Sequence, residues 1–121
     1  MTAYATVAYR DSSILTATPE QLVVMLYDGA GRFLRQARAA LEEGDTPRAN
    51  QRLQRAEAIV SELLHTLDPE AGEIAERLKA IYLFCLRHLN EARVERDPAR
   101  IGEVVALLAE LRDGWATIAG A

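Results

Sequence analysis

Apolar residues recur every three or four positions along most of this chain, and four proline-containing pairs divide that pattern at similar intervals. The pairs are Thr18-Pro19, Thr46-Pro47, Asp68-Pro69 and Asp97-Pro98. Thr and Asp are favoured N-caps because a side-chain oxygen accepts a hydrogen bond from an orphan amide of the first turn. Proline suits the next position, where its missing N–H costs nothing and its fixed φ already fits a helix. Four such signals predict four amphipathic helices.

Helix one opens on Thr18-Pro19-Glu20-Gln21, a capping box, and carries a stripe of Leu22, Met25 or Leu26, Gly29 or Ala30, Phe33, Ala37 and Leu41. Gly44 suits the position just past its end. Helix two carries Ala49, Leu53, Ala56, Val60, Leu63 and Leu67. Helix three starts at Pro69 or slips to Gly72-Glu73, with Ile74, Leu78, Ile81, Cys85, Leu89 and Ala92 as its stripe. Helix four runs from Pro98 through Ile101, Val104 or Val105, Leu108, Leu111, Trp115 and Ile118. Connections this short force sequence neighbours to pack antiparallel. The expected fold is therefore all-α: an up-down-up-down four-helix bundle over residues 18–121, preceded by an N-terminal arm, 1–17, without a sustained period.

A two-layer bundle helix needs an apolar stripe of a little over ~100°, and three of these helices exceed it. Leu22 to Tyr27, Ala80 to Leu86 and Val104 to Ala109 are apolar right around, whereas helix two is polar on its outer face. The excess must be covered by the arm, by a second copy or by a partner, because contiguous exposed apolar patches mark interaction sites. Gly29 and Gly31, each costing about 1 kcal/mol against Ala inside a helix, point to a close approach by a neighbour or to a kink.

Composition narrows the class. At 121 residues, 50% hydrophobic and 26% charged, the chain is one soluble domain with a core of its own. Its longest apolar run, seven residues, is far below the roughly 20 that span a bilayer, and Met1 to Ser13 lacks the signature of a secretory signal. Cys85 is the single cysteine, read as core packing in a reducing, cytoplasmic setting. Charge divides by end. The end at the 44–46 and 97 turns holds ten basic and seven acidic residues, and the end at the 68–72 turn holds four and eleven. The first is read as solvated helix faces, with a docking surface for an acidic partner as the alternative. Nucleic-acid binding is not expected from a net charge of −4 with no aromatics among the arginines.

Catalytic chemistry is not expected. Glu62-Leu63-Leu64-His65 matches the Glu-x-x-His motif of di-iron bundles, but a second copy is needed, and His88 is preceded at that spacing by Cys85. Neither histidine has the lysine and glycine context of a phosphotransfer domain, and no phosphate loop or activated nucleophile is present. No cofactor and no metal are expected.

The opening Thr16-Ala17-Thr18-Pro19, Leu22, Met25-Leu26-Tyr27-Asp28-Gly29-Ala30 and Arg32-Phe33 resembles the signature of the flagellin export chaperone family, FliS. The likeness continues through Asn50, Ala56, Glu62-Leu63 and Thr66-Leu67-Asp68. It then runs through Gly72-Glu73-Ile74-Ala75, Leu78, Tyr82, Arg87, Asp97, Glu103-Val104 and Trp115. The resemblance implies a bacterial cytosolic chaperone that binds the disordered C-terminal segment of flagellin, blocks premature polymerisation and delivers it to the flagellar type III export gate. It also implies an arm that covers part of the groove until flagellin displaces it, with Tyr9 at the arm's tyrosine position. The expected arm anchors are Tyr9, Ile14 and Leu15. The expected groove is Tyr27, Ile74, Leu78, Tyr82 and Leu86, which extend the core stripes sideways. The free chain is expected as a monomer or weak homodimer without stable membrane insertion. The competing reading is a structural helical-bundle homodimer with no disordered client.

Overall fold

The computed structural model describes residues 16–120, so the arm residues Tyr9, Ile14 and Leu15 lie outside the described residues. Four α-helices account for nearly all of it: α1 (Pro19–Glu42), α2 (Thr46–His65), α3 (Glu73–Glu95) and α4 (Pro98–Gly120). A one-turn 3-10 helix, Pro69–Ala71, joins α2 to α3. No strand occurs among the described residues.

The helix ends follow local chemistry closely. The Thr18 hydroxyl accepts from the Gln21 amide at 3.1 Å while the Gln21 side chain accepts from the Thr18 amide at 2.9 Å. At the other end of α1, Gly44 adopts φ +79°. Its N–H bonds Leu41 O at 3.0 Å and the Asp45 N–H bonds Ala40 O at 2.8 Å, the paired closure that needs a left-handed residue. Asp45 then does a second job. Its carboxylate accepts from the Arg48 amide at 3.2 Å, so Asp45, rather than the expected Thr46, caps α2 and Thr46 is the first helical residue. Asp68 caps only the 3-10 turn, accepting from the Glu70 amide at 2.9 Å, and α3 starts afresh after Gly72 at φ +72°. Both alternatives for the start of helix three are thus partly realised. Arg96, at φ +53°, closes α3 in the left-handed region.

Contacts between helices fix the topology. Arg112 meets Asp28, and Arg38 lies against Gly102, so α4 descends as α1 rises. Ile59 lies against Gly29 and Arg52 over Phe33, which sets α2 antiparallel to α1. His88 meets Glu103 and Glu91 meets Arg100, so α3 and α4 are antiparallel as well. The result is the expected up-down-up-down bundle, with α1 packed most extensively against α2 and α4. Gly29 serves a close approach, since a Cβ there would stand 3.3 Å from Ile59 Cδ1. At Gly31 a Cβ would meet only the mobile end of Arg35.

The core stripe of α2 is as expected: Ala49, Leu53, Ala56, Val60 and Leu63 are all buried. So are Cys85, Leu89 and Ala92 of α3, and Ile101, Val104 and Leu108 of α4. The α1 stripe is as expected at Gly29, Ala30 and Ala37, with Leu26 and Leu41 packed against the core, and is corrected at its other positions. Tyr27, Ala30, Leu34 and Ala37 face inward, whereas Leu22 and Met25 are exposed and Phe33 is half-buried. A helix that is apolar all round has no unique inward face in its own sequence. Ile74 and Ile118, at the ends of the expected α3 and α4 stripes, are also exposed.

Two substitutions test these ends by urea denaturation. Asp45→Ala is expected to cost about 1 kcal/mol while Thr46→Ala costs much less, the reverse of the sequence expectation. Arg96→Gly is expected to stabilise the chain by about 1 kcal/mol, because glycine removes the left-handed penalty of a side chain at φ +53°.

Candidate functional site

Core packing fades toward the end where α2 turns into α3, and a cavity of about 510 Å³ opens there. Its floor is Leu63 and Tyr82, both buried. Its walls are Leu78 of α3, Leu111 and Trp115 of α4, Leu67 at the end of α2 and Val23 of α1. Ile74 and Ile118 stand at the mouth, 65% and 64% exposed. Of the intervening 3-10 turn only Ala71 lines the cavity and none of its side chains is buried, so among the described residues the connection leaves this end open. On this side Leu78, Leu111 and Trp115 are only partly buried against the core, and Ile74 and Ile118 are mostly exposed among the described residues.

One polar contact underlies the floor. The hydroxyls of Tyr27 and Tyr82 hydrogen-bond across the bundle diagonal, with the rings tilted at 46° and their centroids 6.4 Å apart. Desolvation by burial pushes both phenols upward, so both stay neutral through the physiological range. Cys85 beside them is pushed up to about 11 by burial alone. None of these groups is poised as a nucleophile or base at neutral pH; they satisfy one another inside an apolar surround.

The expected groove residues divide in three ways. Ile74, Leu78 and Tyr82 line the cavity together. Tyr27 lies behind it, 2% exposed and bonded to Tyr82. Leu86 is half-buried against the core and does not line the cavity. Sequence reasoning assigned Leu111, Trp115 and Ile118 wholly to the core, and these supply one complete wall.

Elsewhere the titratable groups pair locally. His65 bonds the Ser61 carbonyl of its own helix at 2.6 Å, and Glu62 is exposed beside it. His88 stacks on Phe84 and meets Glu103 at 2.6 Å. At the arginine-rich end Arg93 pairs with Glu57, and Arg100 engages Glu91, Glu95 and Asp97. No group of three metal-ligating side chains occurs among the described residues.

Similarity to known proteins converges on one family. The family model described as "Flagellar protein FliS" matches residues 1–121. The chain is 38% identical over 118 residues to a flagellar secretion chaperone FliS of Salmonella typhimurium, covering 96% of this chain and 87% of that protein. It is 36% identical over 108 residues to a flagellar secretion chaperone FliS of Bacillus subtilis, covering 89% and 80%. A crystal structure of a bacterial flagellar chaperone superposes with a TM-score of 0.78 at 21% identity, covering 98% of this chain and 97% of that one, and shares the fold.

The tyrosine pair makes a direct prediction. Tyr27→Phe and Tyr82→Phe are each expected to cost about 1–3 kcal/mol, because each strands a buried hydroxyl, and the double variant is expected to cost less than their sum. Since burial raises both phenols, the unfolded chain releases protons that the folded chain retains above pH ~10. Stability is expected to be level below that range and to fall as pH rises through it, with phenolate absorbance from the two core tyrosines appearing only on alkaline unfolding.

Proposed function

The chain belongs to the FliS family of flagellar secretion chaperones, and from that membership we propose that its open end cavity receives the C-terminal segment of flagellin. The protein is an export chaperone for flagellin, and its family is not an enzyme class. On this reading a flagellin segment that is disordered in the free state lays apolar side chains between α3 and α4. It contacts Ile74, Leu78, Tyr82, Leu111, Trp115 and Ile118 and gains helix as it binds. The single observation that carries the reading is the apolar cavity of about 510 Å³ with its wide mouth and half-exposed walls.

The physics suits such a client. Ordering a disordered segment costs several kcal/mol, so the host must offer a long apolar surface in compensation. Mass action then suffices: a client bound in the cytosol cannot polymerise, and no nucleotide is consumed. The arm, residues 1–17, supplies an internal substitute for the client. Tyr9, Ile14 and Leu15 cover apolar surface in the free chain and yield to flagellin, which keeps the free chaperone soluble as a monomer or weak homodimer. The loaded complex is then delivered to the flagellar export gate. A permanent homodimer without a client is not favoured for a member of a secretion chaperone family.

Ile74→Asp and Ile118→Asp test the site by calorimetric titration with a synthetic flagellin C-terminal peptide. Both side chains are mostly exposed, so each variant is expected to stay within about 0.5 kcal/mol of the parent in stability. Peptide affinity is expected to drop at least about tenfold, since burial of an isoleucine side chain contributes roughly 1.5–3 kcal/mol. Trp115 is the chain's only tryptophan, so its emission is expected to shift to the blue as peptide covers it. Undiminished affinity in both variants would move the binding site elsewhere.

A further inference from the structure

We propose that the client segment carries a lysine or arginine beside its apolar anchors, and that Asp68 and Glu110 on the cavity rim select it. This inference rests on the client reading above and adds a charge requirement to it. Among the described residues the cavity lining is apolar except for Thr66, Asp68, Glu110, the Tyr82 hydroxyl and the Trp115 indole N–H, and it includes no cation. Two of those polar groups are already engaged: the Thr66 hydroxyl donates to the Leu63 carbonyl at 2.9 Å, and the Tyr82 hydroxyl bonds Tyr27. Asp68 accepts only from the Glu70 amide through one oxygen, at 2.9 Å. Glu110 is exposed and takes part in no ion pair among the described residues.

Lys79, beside Leu78 on α3, is exposed and in no ion pair among the described residues, but it does not line the cavity and stands as one cation against Asp68, Glu110, Glu62, Glu70 and Glu76. The other cations of this end among the described residues are already held. Arg112 is held by Asp28 at 2.9 Å and lies 3.7 Å from Asp113. Arg77 is held by Glu73 at 2.7 Å. Exposed Glu62, Glu70 and Glu76 crowd the same end, none of them in an ion pair among the described residues. The mouth of an apolar cavity therefore carries an unbalanced negative field, and low-dielectric walls strengthen charge interactions at its edge. A purely apolar client would leave those carboxylates partly desolvated and unpaired, which is costly. A second copy of this chain would bring like charges together at this end. A basic side chain within one helical turn of the anchors meets the rim and fixes the register of the bound segment.

The test titrates the full chain with a synthetic flagellin C-terminal peptide at low and high sodium chloride, after circular dichroism has confirmed each variant as folded. Glu110→Gln and Asp68→Asn are each expected to weaken binding about threefold, the second retaining its turn-capping oxygen. Glu110→Lys is expected to weaken it about tenfold or more. Changing the peptide's lysine or arginine next to its apolar anchors to glutamate is expected to restore binding to Glu110→Lys. Wild-type affinity is expected to fall with salt. Unchanged affinity in Glu110→Lys with no salt dependence overturns the charge requirement and leaves the apolar client reading intact. Tighter binding by Glu110→Lys also overturns it. A wild-type chain that ignores the peptide at every salt concentration overturns the client reading itself.

Discussion

Where the Tyr27 and Tyr82 hydroxyls meet, a tightly packed interior gives way to an open one. The contact crosses the bundle diagonal, joining α1 to α3, helices that otherwise touch mainly through their common neighbours. Two phenols that must satisfy each other in an apolar interior leave little choice of rotation to either helix. That contact accounts for the inward phase of α1, with Tyr27, Ala30, Leu34 and Ala37 on one line. On one side of it small residues such as Ala37, Ala49, Ala56 and Ala92 let the helices approach closely and seal. On the other side larger side chains, Leu78, Leu111 and Trp115, are only partly buried, and the described residues leave a cavity between them.

An open apolar end is a standing cost. Half-exposed Trp115, Leu111 and Leu78 and exposed Ile74 and Ile118 would be better buried, and a chain under selection for stability alone would fill the space. Keeping it unfilled makes sense for a protein whose task is to accept apolar side chains from another chain. The polar contacts of the floor are satisfied internally, so an incoming segment meets no orphan donor or acceptor there. On the proposed reading its specificity comes from shape and from the rim, where Asp68 and Glu110 are the charged residues of the lining among the described residues.

Much of this was legible in the residues. Three of the proline pairs place α1, α2 and α4 to within a residue or so, while Asp68-Pro69 opens the 3-10 turn and α3 begins only at Glu73; Gly44 ends α1 as its backbone freedom suggests. The α2 stripe was read correctly because that helix is polar on its outer face and admits one inward direction. In α1 the stripe holds at Gly29, Ala30 and Ala37 but misses Tyr27 and Leu34 and includes exposed Leu22, because Leu22 to Tyr27 is apolar right around and periodicity cannot choose among equivalent faces. Of the expected groove residues, Ile74, Leu78 and Tyr82 share the cavity because they follow one another along one side of α3. Trp115 and Ile118 were missed because a stripe reads the same whether its partner surface is present or lacking.

Sequence by itself determined the number, the limits and the antiparallel order of the helices, since capping, proline geometry and loop length act over a few residues. It also determined that the chain carries more apolar surface than four helices need. Only the tertiary structure decided which of that surface is core and which is cavity. Burial depends on what stands opposite a side chain, and the residues opposite Trp115 and Ile74 belong to helices dozens of positions away.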